Sequence, residues 1–194
     1  LLIGLFTAMA SGGAVVAAQY MGHGDKEMVG RASNQLFLAV GGVALLFMTI
    51  ALIWNKGLLA LLYGNVEADV MNAARIYFYI VAVSFPFLGI YNGGAALFRA
   101  VGDSKVSMKV SLAMNAINVA GNALCVFGLH MGVGGVAIPT LVSRMFAAVV
   151  MVILVRNPKN SIRVDHLGQM IPQPDMIRNI LAVGIPSGLE NGMF

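Results

Sequence analysis

The sequence predicts an all-α integral membrane protein, built as a polytopic helical bundle. Hydrophobic residues make up 59% of the 194 residues and charged residues only 10%, whereas a soluble domain carries about 25% charged residues. The mean hydropathy of +0.84 agrees with this composition. The apolar residues lie in long uncharged stretches, and about 20 apolar helical residues are enough to cross a bilayer. No stretch shows the strict apolar–polar alternation of a β-strand.

Five stretches are long and apolar enough to span a membrane, and a sixth begins near the end of the sequence. Charged or glycine-rich segments separate them. A short apolar run at 58–62 is stopped by Gly64 and by acidic residues, which predicts a short interfacial helix. The predicted spans cover about 1–22, 32–55, 76–98, 106–128 and 134–155, followed by a polar connector over 156–178 and the start of a sixth span over 179–194.

The positive charges predict the orientation of the bundle, because Lys and Arg concentrate in cytoplasmic loops. Loops on one side of the predicted membrane hold nine Lys and Arg residues, and loops on the other side hold Lys56 and Arg75. The nine are Lys26, Arg31, Arg99, Lys105, Lys109, Arg156, Lys159, Arg163 and Arg178. We therefore expect the loop around Arg99, Gly102 and Asp103 and the connector over 156–178 to be cytoplasmic.

Several other classes of protein are disfavoured by the sequence. No aromatic residues interleave the basic ones and no basic stripe follows one helix, so we expect no nucleic-acid partner. A phosphate-binding glycine loop, a metal-spaced histidine pair and a nucleophile elbow are all absent from the sequence, so we expect neither an enzyme nor a bound cofactor. The sequence begins at Leu1 and stops at Phe194 inside an apolar run, which we interpret as a fragment cut at both ends.

Glu190 is the first candidate for a functional residue. A carboxylate inside a span is costly to insert and therefore marks a candidate site. Gly184, Gly188 and Gly192 surround it at intervals of four, which permits close approach of another helix. The structural alternative is a glutamate near a helix end that reaches headgroups or water.

The fourth span carries a row of amides at Asn115, Asn118 and Asn122, spaced so that they share one helix face. Thr140, after Pro139 on the fifth span, adds a hydroxyl oxygen. Such oxygen ligands, without thiols, suit a hard cation such as Na⁺. Interhelical hydrogen bonding that holds the bundle together is the alternative role of the three amides.

Arg144 lies one turn beyond Thr140 and is the only basic residue deep in a predicted span. Such a residue is either paired inside the bundle or extends its charged end toward the interface. We treat it, with the amides, Thr140 and Glu190, as a candidate for cation or substrate binding.

Five segments in order resemble the multidrug and toxic compound extrusion (MATE) family of transporters. Together they run through essentially the whole sequence. They are 17–25 (AAQYMGHGD), 98–105 (FRAVGDSK), 115–122 (NAINVAGN), 132–140 (GVGGVAIPT) and 184–188 (GIPSG).

The resemblance implies a partial MATE fold: helices 2–6 and the start of helix 7 of an expected twelve, in two lobes. Residues 1–155 would belong to the N-terminal lobe and 179–194 to the first helix of the C-terminal lobe. In one branch of the family, Asn118, Asn122 and Thr140 match an N-lobe cation site, with Asn122 where that branch has Asp. In another branch an acid about one turn beyond Glu190 serves a C-lobe site.

The function implied by the resemblance is secondary active transport. A Na⁺- or H⁺-coupled antiporter of this kind exports cationic amphipathic drugs across the cytoplasmic membrane, and we expect the full-length protein to act as a monomer. A lipid-linked oligosaccharide flippase of the same superfamily is the first alternative, although such proteins usually line the cavity with several arginines. A non-transporting membrane scaffold is the second.

Overall fold

The computed structural model describes residues 2–24, 26–64, 67–157 and 172–193, and within these ranges every regular element is helical. The all-helical bundle predicted from the sequence is therefore confirmed. The helices are α1 (Leu2–Gly22), α2 (Lys26–Ile53), α3 (Asn55–Tyr63), α4 (Ala68–Val83), α5 (Phe85–Ala100), α6 (Ser104–Ala123), α7 (Gly134–Arg156) and α8 (Pro174–Met193). One π-helical turn, Leu124–Gly128, continues α6.

α5 lies at the centre of the bundle and contacts α1, α2, α6 and α7. Every residue from Tyr91 to Phe98 is buried, which means burial around the whole circumference because a helix turns once in 3.6 residues. Two glycines bring neighbours close. A Cβ at Gly89 would lie 3.2 Å from the Cβ of Ala44 on α2, and one at Gly94 would lie 3.1 Å from the Cβ of Met151 on α7.

The expected third span, 76–98, is divided between two helices. α4 ends at Val83, α5 begins at Phe85, and the two are bent by 43°. Pro86 lies in the first turn of α5, where a missing N–H costs no hydrogen bond. In a continuous helix its ring would clash with the carbonyl of Ala82. The helix therefore breaks just before the proline, and 68–100 forms one bent pair.

Two further elements refine the expected boundaries. α2 begins at Lys26, six residues before the expected start of the second span, so the charged segment 26–31 forms its first turns. An ion pair of 2.6 Å between Arg31 and Glu27, one helical turn apart, joins the side chains there. α3 is the short helix that the sequence predicts between the second and third spans.

The outer surface of the bundle is apolar. Large side chains such as Leu61, Leu112 and Phe127 are more than two-thirds exposed. Among the described residues, three helices are long and apolar enough to cross a membrane, and the bent pair α4–α5 makes four. These are 27–53, 104–128, 134–156 and 68–100. Exposed apolar surface on such helices is what a bilayer covers.

Candidate cation site between α6 and α7

Close contact between α6 and α7 places the candidate residues side by side. A Cβ at Gly121 on α6 would lie 2.8 Å from the Cβ of Pro139 on α7. Only glycine at position 121 allows this approach without displacing the proline, and small residues are what permit helices to pack closely in a bilayer. The contact brings the helix face that carries Asn118 and Asn122 against Thr140.

Asn118, Asn122 and Thr140 form one hydrogen-bonded chain. The Asn118 side-chain amide donates to the Thr140 hydroxyl oxygen over 3.1 Å, and that hydroxyl donates to the Val136 carbonyl over 3.0 Å. The Asn122 amide donates to Oδ1 of Asn118 over 3.2 Å. Oδ1 of Asn122 is buried and accepts no hydrogen bond from the part of the chain that the structure describes.

The chain of bonds concentrates neutral oxygen atoms at a half-buried position inside the bundle. The unpartnered Asn122 oxygen is costly to bury, because a buried acceptor without a donor forfeits about 1–3 kcal/mol. A cation bound by this oxygen would remove that cost. Asn115, one turn earlier on α6, is exposed and makes no side-chain hydrogen bond to the other amides within the described residues.

Arg144 contacts the break between α4 and α5. Its guanidinium donates to the Ser84 hydroxyl over 2.5 Å, and that hydroxyl donates to the Val81 carbonyl over 2.6 Å. Ser84 is completely buried and lies between the two helices. Arg144 is thus bonded inside the bundle, the first of the two roles expected for it, and its guanidinium is directed to the helix break.

Ser84 and Gln35 are polar residues that the sequence reasoning missed. Gln35 is 3% exposed on α2, and its side-chain oxygen accepts the backbone N–H of Gln173 over 3.0 Å. This bond attaches the segment before α8 to α2. For Ser84, a serine two residues before a proline inside an apolar stretch is the sequence feature that marks the break; no sequence feature marks Gln35.

The loop around Arg99, Gly102 and Asp103, which the charge distribution predicts to be cytoplasmic, forms a tight turn between α5 and α6. Gly102 has a φ of 84°, which favours glycine, and its N–H donates to the Arg99 carbonyl over 3.1 Å. The Asp103 N–H donates to the Phe98 carbonyl over 2.9 Å. Arg99 is exposed. The geometry gives this motif a role in joining two helices.

Glu190 lies in the last part of α8, and its side chain is outside the described residues. Residues 158–171 of the predicted connector are outside them as well. What the structure does describe is the packing of α8 along α1, through Gly184 and Ile180.

Comparisons with known proteins identify the architecture. A family profile described as MatE matches residues 1–124. The uncharacterized transporter YisQ of Bacillus subtilis is 25% identical and is matched over 98% of this chain and 42% of its own length. The probable multidrug resistance protein NorM of Thermotoga maritima is 26% identical, over 96% of this chain and 40% of its own length.

The fold agrees with a solved structure over nearly the whole of this chain. An inward-facing multidrug resistance MATE family transporter of the MOP superfamily superposes with a TM-score of 0.87, at 19% identity, over 98% of this chain and 43% of that one. The chain thus spans about 40% of the length of the curated relatives it matches. The predicted partial MATE fold is confirmed, and the chain belongs to the MatE family of multi-pass membrane transporters.

Proposed function

We propose that this chain supplies the N-terminal lobe and the first C-lobe helix of a cation-coupled antiporter that exports cationic amphipathic small molecules by alternating access. Membership of a transporter family supports transport in general. The similarity to the Thermotoga maritima relative, a probable multidrug resistance protein, supports the substrate class. The membrane we propose is the cytoplasmic membrane, and the unit is a monomer of the full-length protein.

The observation that carries the proposal is the buried Asn122 oxygen beside Asn118 and Thr140. Three neutral oxygen-bearing side chains meet on two packed helices, and one acceptor has no donor among the described residues. Hard cations prefer such oxygen ligands. Neutral amides and hydroxyls do not take up a proton near neutral pH, so this site suits Na⁺ better than H⁺.

Proton coupling would need a carboxylate, and Glu190 is our candidate for it. Drug cations would also be attracted by a carboxylate inside a span. We therefore assign Na⁺ binding to Asn118, Asn122 and Thr140. The binding of drug cations or of protons is assigned to Glu190. Asn115 and Arg144 stay peripheral in this assignment, because Asn115 is exposed and Arg144 is bonded to Ser84.

Dye efflux from proteoliposomes that contain the full-length protein tests the proposal. Export of a cationic dye under an imposed Na⁺ gradient, with no pH gradient, is the expected result. Export under a pH gradient alone would indicate that the coupling ion is H⁺ and that the Glu190 carboxylate, rather than the amide site, binds it. If neither gradient drives any cationic dye, the antiporter proposal fails, and a lipid-linked oligosaccharide flippase becomes the function to test.

A further inference from the structure

An apolar groove opens on the surface between α2, α5 and α7. It encloses about 400 Å³, a volume within the range of known ligand pockets. It is separate from the cation site, and nothing in the proposed function uses it. Its lining includes Gly41, Gly42, Leu45, Ile90, Val152 and Arg156.

Gly41 and Gly42 keep the groove open. At Gly12, Gly89 and Gly121 a Cβ would come within 3.2 Å of another helix, so those glycines serve helix packing. At Gly41 and Gly42 a Cβ would meet nothing within 4 Å. Glycine inside a helix costs about 1 kcal/mol relative to alanine. No packing within the described residues offsets that cost, and the absence of two side chains leaves space in the groove.

Arg156 is the charged residue among the described residues that line the groove. It ends α7 on the side that the charge distribution predicts to be cytoplasmic, and it is exposed. Arg99 ends α5, a second helix of the groove, on the same predicted side and is also exposed. Among the described residues neither arginine has an ion pair, whereas Arg31 on α2 is paired with Glu27. Within the described residues, Arg156 therefore places a positive charge without an ion-pair partner at the edge of the groove.

We propose that this groove binds an anionic glycerophospholipid of the cytoplasmic leaflet. One acyl chain would lie along α2 over Gly41, Gly42 and Leu45, and the phosphate would be bound by Arg156. The charge complementarity carries this choice of occupant: the cytoplasmic leaflet is enriched in anionic lipids, and the arginine guanidinium forms paired hydrogen bonds with phosphate. The proposal depends on the membrane orientation and not on drug export.

Native mass spectrometry of the full-length protein in detergent tests the site by titration with phosphatidylglycerol. Arg156→Gln is expected to weaken phosphatidylglycerol binding about tenfold, the size of one charge-assisted hydrogen bond. Phosphatidylcholine binding should weaken less, because the choline ammonium already compensates the charge of the phosphate. Gly42→Leu fills the groove and is expected to weaken the binding of both lipids. The matched controls are Lys56→Gln, on the predicted opposite side, and Gly57→Leu on α3, where a Cβ also meets nothing within 4 Å.

The proposal is overturned if Arg156→Gln binds phosphatidylglycerol as Lys56→Gln does, or if Gly42→Leu behaves like Gly57→Leu. A second measurement asks whether another part of the full-length protein covers the groove. A nitroxide at Leu45→Cys, a position 49% exposed in the structure, is expected to be accessible to oxygen dissolved in the bilayer. Protection of that label from oxygen would show that protein, rather than lipid, occupies the groove.

Discussion

Gly12 on α1 and Gly184 on α8 bring the backbones of these helices into direct contact. A Cβ at Gly12 would lie 2.8 Å from the backbone nitrogen of Gly184, and a Cβ at Gly184 would lie 2.7 Å from the Cα of Met9. Neither position tolerates a side chain without movement of the other backbone. The contact joins α1, near the beginning of the sequence, to α8, which follows the predicted polar connector.

Gly12→Val is expected to destabilise the full-length protein by about 1–3 kcal/mol, the usual cost of overpacking. The valine side chain would push α8 away from α1, because the atoms it meets are backbone atoms that cannot rotate away. Thermal unfolding in detergent measures the change. Gly4→Val on the same helix is the control, since a Cβ at Gly4 meets nothing within 4 Å. Equal unfolding temperatures for the two variants would contradict the prediction.

The Arg144–Ser84 hydrogen bond leads us to expect that a residue of α7 stabilises the break between α4 and α5. Ser84→Ala leaves the half-buried Arg144 guanidinium without this acceptor, and hydrogen bonds to charged groups contribute about 1.5–3 kcal/mol. We expect a lower unfolding temperature for Ser84→Ala than for Ser11→Ala, whose hydroxyl is exposed and bonds within its own helix. A double-mutant cycle with Arg144→Gln is expected to show non-additive losses; additive losses would mean that the two side chains are energetically independent.

The sequence predicts the grouping of Asn118, Asn122 and Thr140 better than it predicts which other helices pack together. The four-residue spacing of Asn118 and Asn122 fixes their common face, because i and i+4 are neighbours on any α-helix. Thr140 contacts them because Gly121 on α6 packs against Pro139 on α7. Both residues are visible in the sequence, but the sequence does not show that they contact each other. The proximity of Gly12 and Gly184, or of Gln35 and Gln173, has no local rule, because in a bilayer many pairs of small-residue faces can associate.

Asn118→Ala is expected to reduce the response of the protein to Na⁺. Asn118 is the central member of the hydrogen-bonded chain, since it donates to Thr140 and accepts from Asn122. The substitution removes the Asn118 oxygen as a proposed ligand, and it also removes the hydrogen bond that holds the Asn122 side chain in place. The measurement is Na⁺-dependent stabilisation against thermal unfolding, which reports binding without transport. If Na⁺ stabilises this variant as much as the wild type, the proposed Na⁺ site is contradicted.

Glu190→Gln is expected to abolish coupled export while expression stays unchanged, because the amide keeps the shape of the side chain and removes its charge. The control is Asp175→Asn, which neutralises an exposed acid in the first turn of the same helix. Dye efflux from proteoliposomes measures both variants. If Glu190→Gln exports dye as Asp175→Asn does, Glu190 has a structural role only.

Asn122→Asp tests whether the unpartnered oxygen is a cation ligand. In the wild type the Asn122 amide donates to Oδ1 of Asn118, so a carboxylate at position 122 would place two acceptors against each other. Without a cation that repulsion should lower the unfolding temperature. Bound Na⁺ would neutralise the carboxylate and satisfy both oxygens, and stability should then return as Na⁺ is added. We expect Asn122→Asp to reach half of its maximal Na⁺-dependent stabilisation at a Na⁺ concentration about tenfold lower than the wild type needs for half of its own. That ratio is equivalent to about 1.4 kcal/mol of binding free energy.

Asn115→Asp is the matched control for this variant, because it adds the same charge to an exposed position on the same helix. Since Asn115 belongs to no hydrogen-bonded group of oxygens among the described residues, the stability of Asn115→Asp should not depend on Na⁺ beyond the wild-type response. A similar Na⁺ effect in both variants would show general screening of charge and not a site. A destabilised Asn122→Asp that Na⁺ fails to rescue would show that the amide chain is a structural hydrogen-bond network, which holds α6 against α7 without binding a cation.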